Sequence, residues 1–135
     1  MRVMCDTNVL ISGLLFVDSV PGKVLRYVAE QERLVLASYI VDELRRVFQN
    51  KFPDKAEHLI HYLEREEFEL FATPLDLRYI SIPTLRDAKD EPILASAILA
   101  DVDILITGDK DFADVKIDRP IILTPAAFLK SLKRV

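Results

Sequence analysis

Short runs of apolar residues recur along the chain and alternate with longer amphipathic segments. The runs are RVMC at the start, LVLAS in the second quarter, and DVDILIT and PIILTP in the last third. They lack the strict alternation of apolar and polar residues that marks a half-exposed strand, so strands built on them would be buried on both faces. Buried strands separated by helices predict a three-layer α/β/α sandwich with a mainly parallel central sheet.

Helical spacing of apolar residues marks the segments between these runs. It predicts helices over residues 21–32, 39–50, 54–67, 90–100 and 127–135, with a further helical segment after Asn8. Ser38 is the predicted N-cap of the second of these helices, because a serine hydroxyl can accept a backbone N–H there. Residues 68–74, FELFATP, are predicted to be extended.

The composition is that of one compact domain spanning residues 1–135. Hydrophobic residues make up 50% and charged residues 30%, without a linker or low-complexity tract. No apolar run approaches the roughly 20 residues of a membrane span, and no signal peptide is predicted. The lone cysteine, Cys5, lies in a predicted buried strand and favours a packing role in a reducing, cytoplasmic compartment. A net charge of −4 disfavours binding of nucleic acid by bulk charge alone.

Carboxylates follow two of the predicted strands directly. Asp6 ends the first strand, and Asp109 and Asp111 follow the LIT run. In parallel α/β sheets, ligands bind at the carboxyl ends of strands, which is where these acids fall. An acid at the end of a buried strand is costly unless it is paired or binds a metal, whereas Asp109 could also serve simply as a turn residue.

Two helices carry further acids towards the same edge. Glu43 lies one turn into the helix after the second strand, and we expect it to face partly inward while Asp42 faces solvent. It could instead be a surface acid paired with Arg46 or Arg45. Asp90 and Glu91 open the helix before the strand that leads to Asp109, and Asp90 could equally be an N-cap.

Several carboxylates at one edge predict a metal centre. Crowded carboxylates raise one another's pKa, and a divalent cation with hard oxygen preference, Mg²⁺ or Mn²⁺, relieves that repulsion. Such centres hydrolyse phosphate esters, one metal polarising the phosphoryl oxygen and a second, roughly 4 Å away, stabilising the leaving oxygen. The sequence has no G-x-S-x-G, no Cys/His pair and no P-loop. His58 and His61 lack the further ligands that zinc would need.

Three stretches in order, MCDTNVLISGLL, SYIVDEL and RDAKDEPILASAILADVDILITGDKDF, resemble the PIN-domain ribonucleases, in particular VapC-like toxins of prokaryotic toxin–antitoxin systems. The resemblance continues to ILTPAAFLKSL and so covers nearly the whole chain. It implies a PIN-like fold and a cytoplasmic endoribonuclease that depends on Mg²⁺ or Mn²⁺. The implied partners are an RNA substrate, a cognate antitoxin and further copies of the chain in a homodimer or higher homo-oligomer.

The resemblance also implies roles for single residues. The catalytic, metal-binding acids would be Asp6, Glu43, Asp90 and Asp109, with Asp111 as a further metal-binding acid. Asn8 and Thr107 would support them through hydrogen bonds to the carboxylates or to water on the metal. In many VapC-like sequences the third acid stands four residues before the alanine of an I-A or L-A pair, which here selects Glu91. The KDxP-like run favours Asp90, so we predict Asp90 first and Glu91 second.

Other classes of protein begin similarly. A phosphatase of the haloacid dehalogenase type needs a second aspartate where Asn8 stands, and a receiver domain needs paired acids after the first strand. A PIN-like module that binds RNA or a partner without catalysis is the main alternative. It would be indifferent to EDTA and to Asp6→Asn.

Overall fold

A computed structural model describes residues 1–78 and 80–133. Five strands form one sheet: β1 (Arg2–Cys5), β2 (Arg33–Ala37), β3 (Phe68–Phe71), β4 (Ile104–Ile106) and β5 (Ile121–Leu123). Their order across the sheet is β3-β2-β1-β4-β5, and every neighbouring pair is parallel. The predicted parallel sheet is confirmed. From β1 the chain adds β2 and β3 on one side of the sheet and then β4 and β5 on the other side. The strand order therefore reverses between β1 and β4.

In the described part of the chain, six α-helices accompany the sheet: α1 (Thr7–Leu15), α2 (Val20–Gln31), α3 (Ser38–Lys51), α4 (Ala56–Arg65), α5 (Glu91–Leu99) and α6 (Pro125–Leu132). Short 3₁₀ turns occur at Pro53–Lys55, Ala88–Asp90 and Lys110–Phe112. Between β3 and the second of these turns, residues 72–78 and 80–87 form neither helix nor strand.

The central strands are buried on both faces, as their apolar sequences predict. Val3, Met4 and Cys5 of β1 are fully buried, and Leu105 and Ile106 of β4 are too. Successive side chains of a strand point to opposite faces, so both faces of the sheet must be covered, and the fold is the predicted three-layer sandwich. Each such side chain contributes about 1.5 to 3 kcal/mol to folding. The buried position of Cys5 agrees with its predicted packing role.

The prediction that Ser38 caps α3 is wrong. The N-cap is Ala37, and Ser38 is already helical. Its hydroxyl accepts the Thr73 N–H at 2.9 Å, while the Thr73 hydroxyl accepts the Tyr39 N–H at 3.1 Å. Thr73, in the segment after β3, therefore exchanges hydrogen bonds with the first residues of α3, although it is far from them in the sequence.

The last helix begins earlier than predicted, because Thr124 is its N-cap and accepts the Ala127 N–H at 3.0 Å. Residues 134 and 135 of that predicted helix lie outside the described residues. Within the described chain, no single helix is long and apolar enough to cross a membrane, and α1 with α2 meets that criterion only as a pair bent by 100°.

Candidate active site

The carboxyl ends of β1 and β4 lie side by side at the point where the strand order reverses. Asp6 follows β1 directly, and its N–H donates to the carbonyl of Ile106 at 3.0 Å. Thr107 and Asp109 follow β4. Open α/β sheets form their ligand sites at such a reversal, because the loops diverge there and leave a crevice.

Asp6 is held by hydrogen bonds to both of its carboxylate oxygens. It is only 4% exposed. Oδ1 accepts the Val9 N–H at 2.9 Å and thereby caps α1, and Oδ2 accepts a hydrogen bond from the Thr107 hydroxyl. The Thr107 oxygen in turn accepts the Asp109 N–H at 3.0 Å. A single threonine thus connects the acid that follows β1 to the acid that follows β4.

The electrostatics of Asp6 show which acids lie around it. Burial raises the pKa of Asp6, and the hydrogen bonds from Thr107 and Val9 oppose that rise. The negative charges of Asp109 and Glu43 raise the pKa further. Two of the other predicted catalytic acids therefore act electrostatically on Asp6.

Three aspartates come together beside this chain of contacts. One carboxylate oxygen each from Asp87, Asp90 and Asp111 lies within 4.8 Å of the others, and we call these residues the acid triad. Asp90 Oδ2 is buried and has no hydrogen-bond partner among the described residues. Burial, followed by the charge of Asp109, raises the pKa of Asp90 from 3.8 to about 7. Three hard oxygen donors this close together fit a cation such as Mg²⁺ or Mn²⁺, and the buried oxygen without a partner belongs to one of the same three residues.

Local turns bring the triad together. The Asp87 carboxylate accepts the Lys89 N–H at 2.9 Å and opens the 3₁₀ turn that ends at Asp90. Residues three apart line up on a 3₁₀ turn, so these two carboxylates face the same side. The Tyr39 hydroxyl donates to the carbonyl of Lys89 at 3.2 Å and ties the turn to α3. Asp111 is oriented by its own N–H, which donates to the Asp109 carboxylate at 2.9 Å.

The remaining predicted residues divide between this region and its margin. Glu43 is half-buried and Asp42 is exposed, as expected. Within the described chain Glu43 forms no ion pair with Arg45 or Arg46. Glu91 is the first residue of α5 and lies outside the triad. The Asn8 side chain is exposed and has no hydrogen bond to a described residue, so its supporting role stays a prediction.

An alternative, structural role was predicted for each of Asp90 and Asp109. Asp90 does occupy the N-cap position of α5, as that alternative predicts, but its side chain makes no capping hydrogen bond there. Asp109 does make a turn, because its carboxylate accepts from Asp111, and it also adjoins the triad electrostatically. His58 and His61 are exposed on α4 and lie outside the triad.

The triad member that the sequence prediction missed is Asp87. Its signal was present in the run RDAKD, where two aspartates stand three residues apart just before a helix. That spacing aligns two carboxylates only if the intervening residues form a tight turn, and the run alone does not specify such a turn.

The sequence and the fold both match the PIN domain. A model of the PIN domain family matches residues 2–111, and the chain therefore belongs to that family. This assignment sets aside the phosphatase and receiver alternatives. No curated protein matches the chain at the sequence level.

Two solved structures share the fold. VapBC2 from Rickettsia felis, bound to a DNA fragment from its promoter, is 16% identical with a TM-score of 0.65, over 91% of this chain and 97% of that one. The PIN domain of T. brucei RRP44 is 11% identical with a TM-score of 0.61, over 98% of this chain and 81% of that one.

Proposed function

We propose that this PIN domain is a divalent-metal-dependent endoribonuclease that hydrolyses RNA phosphodiester bonds. The observation that carries the proposal is the acid triad, with the buried Asp90 oxygen that has no partner, at the reversal of strand order. Membership of a family whose domains are generally nucleases supports it.

The chain's own groups would hold a cation and orient its ligands. Asp87, Asp90 and Asp111 offer the converging oxygens. Asp6 is held in a fixed orientation because both its oxygens accept hydrogen bonds. It is linked to Asp111 through Thr107 and Asp109. A bound Mg²⁺ or Mn²⁺ would polarise the phosphodiester and lower the pKa of the attacking water. The Asp109 carboxylate orients Asp111 by accepting its N–H.

We further propose that the protein acts in the cytoplasm as the toxin of a toxin–antitoxin pair, as a homodimer or higher homo-oligomer. The structural likeness to VapBC2 supports this biological setting. Co-expression with the product of a neighbouring gene, followed by co-purification and an activity assay, tests the pairing. A neighbour that binds and suppresses cleavage is expected, and one that binds without affecting cleavage would contradict it.

Cleavage of a mixed pool of structured and single-stranded RNAs, with Mg²⁺, Mn²⁺ or EDTA, tests the nuclease proposal. We expect metal-dependent cleavage that is lost in Asp90→Asn and Asp6→Asn and reduced in Glu43→Gln. The matched control is Asp42→Asn, which removes an exposed carboxylate from the residue next to Glu43. Protein that binds RNA but cleaves none of the pool with either metal would instead support the non-catalytic binding module.

A further inference from the structure

A groove with three basic side chains opens from the acid triad. It has a volume of about 480 Å³, and its lining includes Arg86, Lys110 and Lys116, which define what we call the basic groove. Asp111 of the triad lies in the same lining. Arg86 immediately precedes Asp87 in the chain, and Lys110 immediately precedes Asp111. The groove and the triad are therefore built from the same two segments of the chain.

The three cations of the basic groove have no ion-pair partner in the described part of the chain. Arg86, Lys110 and Lys116 are exposed, and none forms an ion pair with a described carboxylate. By contrast, Arg2 is paired with Glu69 at 2.7 Å. A cation without an intramolecular partner remains available to a ligand anion.

The groove concentrates positive charge on a protein whose net charge is −4. Asp111 and Asp114 also line it, so the three cations exceed the carboxylates of the lining by one. The triad itself repels a polyanion, and RNA that reaches it needs compensating positive charge nearby. The basic groove supplies that charge at the side where Asp111 lies.

We propose that the basic groove binds the RNA backbone next to the bond to be cleaved, with Arg86 and Lys116 each contacting a phosphate. The inference rests on the proposed nuclease function and names residues that position its substrate. Lys110 lies between Asp109 and Asp111, so its substitution would also disturb the acids. Arg86 and Lys116 are therefore the residues that test the groove.

The size of the effect follows from counterion release. When the logarithm of the affinity for single-stranded nucleic acid is plotted against the logarithm of the salt concentration, each phosphate contact adds roughly −0.7 to the slope. At about 0.15 M salt each contact then contributes about fourfold to affinity, and two contribute about 15-fold. We expect Arg86→Gln with Lys116→Gln to weaken RNA binding by that factor and to reduce the salt slope by about 1.4.

The binding experiment measures fluorescence anisotropy of a short, labelled, single-stranded RNA of mixed sequence over a salt series. All proteins carry Asp90→Asn, which is expected to abolish cleavage, so that the RNA stays intact, and all buffers contain the same concentration of Mg²⁺. The control is Lys51→Gln, an exposed cation at the far end of α3, about 20 Å from the start of that helix. The charge-conserving pair Arg86→Lys with Lys116→Arg is expected to restore both the affinity and the slope.

The outcomes separate this proposal from the nuclease proposal. If the double glutamine variant kept the affinity and the salt slope, or if Lys51→Gln lost as much affinity, the proposed role of the groove would be overturned even if the wild type cleaves RNA. Weakened binding in the double variant would support the groove even if the wild type cleaves nothing. With an active enzyme carrying the native Asp90, we expect KM to rise about 15-fold while kcat stays within about twofold. Equal affinity for polyglutamate and RNA, lost together in the double variant, would assign the groove to an acidic polypeptide and refute RNA.

Discussion

Replacing Asp90 with asparagine should stabilise the metal-free protein at neutral pH but not at acidic pH. The pKa of Asp90 in the fold is about 7, against an ordinary value of 3.8, mainly because burial disfavours the charged carboxylate. A carboxyl group whose pKa is raised on folding binds more protons in the folded state. Its ionisation therefore lowers the free energy of unfolding as pH rises from about 4 to about 7.

The magnitude follows from the two pKa values. For a fully buried group the difference corresponds to about 4 kcal/mol of unfolding free energy. Asp90 is only half-buried, and solvent screening reduces the expected effect to about 1 to 2 kcal/mol. In a chain of 135 residues this is a rise in Tm of about 3 to 8 °C for Asp90→Asn at neutral pH.

Thermal unfolding in EDTA, from about pH 4.5 to about pH 8, measures this difference for the wild type and Asp90→Asn. The control variant is Asp18→Asn, an exposed aspartate outside the acid triad. Mg²⁺ or Mn²⁺ should raise the Tm of the wild type at neutral pH and have little effect on Asp90→Asn. If the Tm of Asp90→Asn follows that of the wild type at every pH in EDTA, the carboxylate is not destabilised by its surroundings, and this account of Asp90 is wrong.

Three further substitutions test the scaffold of the site. Asp6→Ala should be about 1 to 2 kcal/mol less stable than Asp6→Asn in urea unfolding, because only asparagine keeps an oxygen to cap α1; equal stability would contradict that capping role. Thr107→Val should cost about 1 to 3 kcal/mol, also by urea unfolding, because the Asp109 N–H and the Asp6 carboxylate both lose a partner, and a neutral result would refute that link. Gly22→Ala should lower Tm, because the added Cβ would lie 2.3 Å from the Val17 carbonyl oxygen, and an unchanged Tm would show that this backbone yields freely.

The sheet and the positions of two acids could be predicted because they depend on local sequence. Short continuous apolar runs separated by amphipathic helices are typical of strands covered on both faces, and residues that follow parallel strands emerge at one edge. Asp6 and Asp109 follow such strands, so their proximity is a consequence of the topology alone. Glu43 was predictable for a similar reason, since helical spacing distinguishes it from its exposed neighbour Asp42.

The acid triad depends on contacts that no local pattern contains. Asp87 is aligned with Asp90 by a 3₁₀ turn, and that turn is tied to α3 by the hydrogen bond from Tyr39, fifty residues earlier, to Lys89. Ser38 was mistaken for an N-cap for the same kind of reason. Its hydroxyl is already engaged by the Thr73 N–H, 35 residues away. In both cases a long-range contact decides between local alternatives that are close in energy.

Asp6 and Asp90 would give different information if each were replaced in a test of metal binding. Both oxygens of Asp6 accept hydrogen bonds from the protein, so this carboxylate caps α1 and joins β1 to β4 in the metal-free fold. A loss of activity in an Asp6 variant therefore combines a change at the site with a change in the scaffold. Asp90 Oδ2 has no partner among the described residues, and its carboxylate makes no capping bond. Because the metal-free fold gains nothing from that charge, loss of metal-dependent stabilisation in Asp90→Asn can be attributed to the site itself.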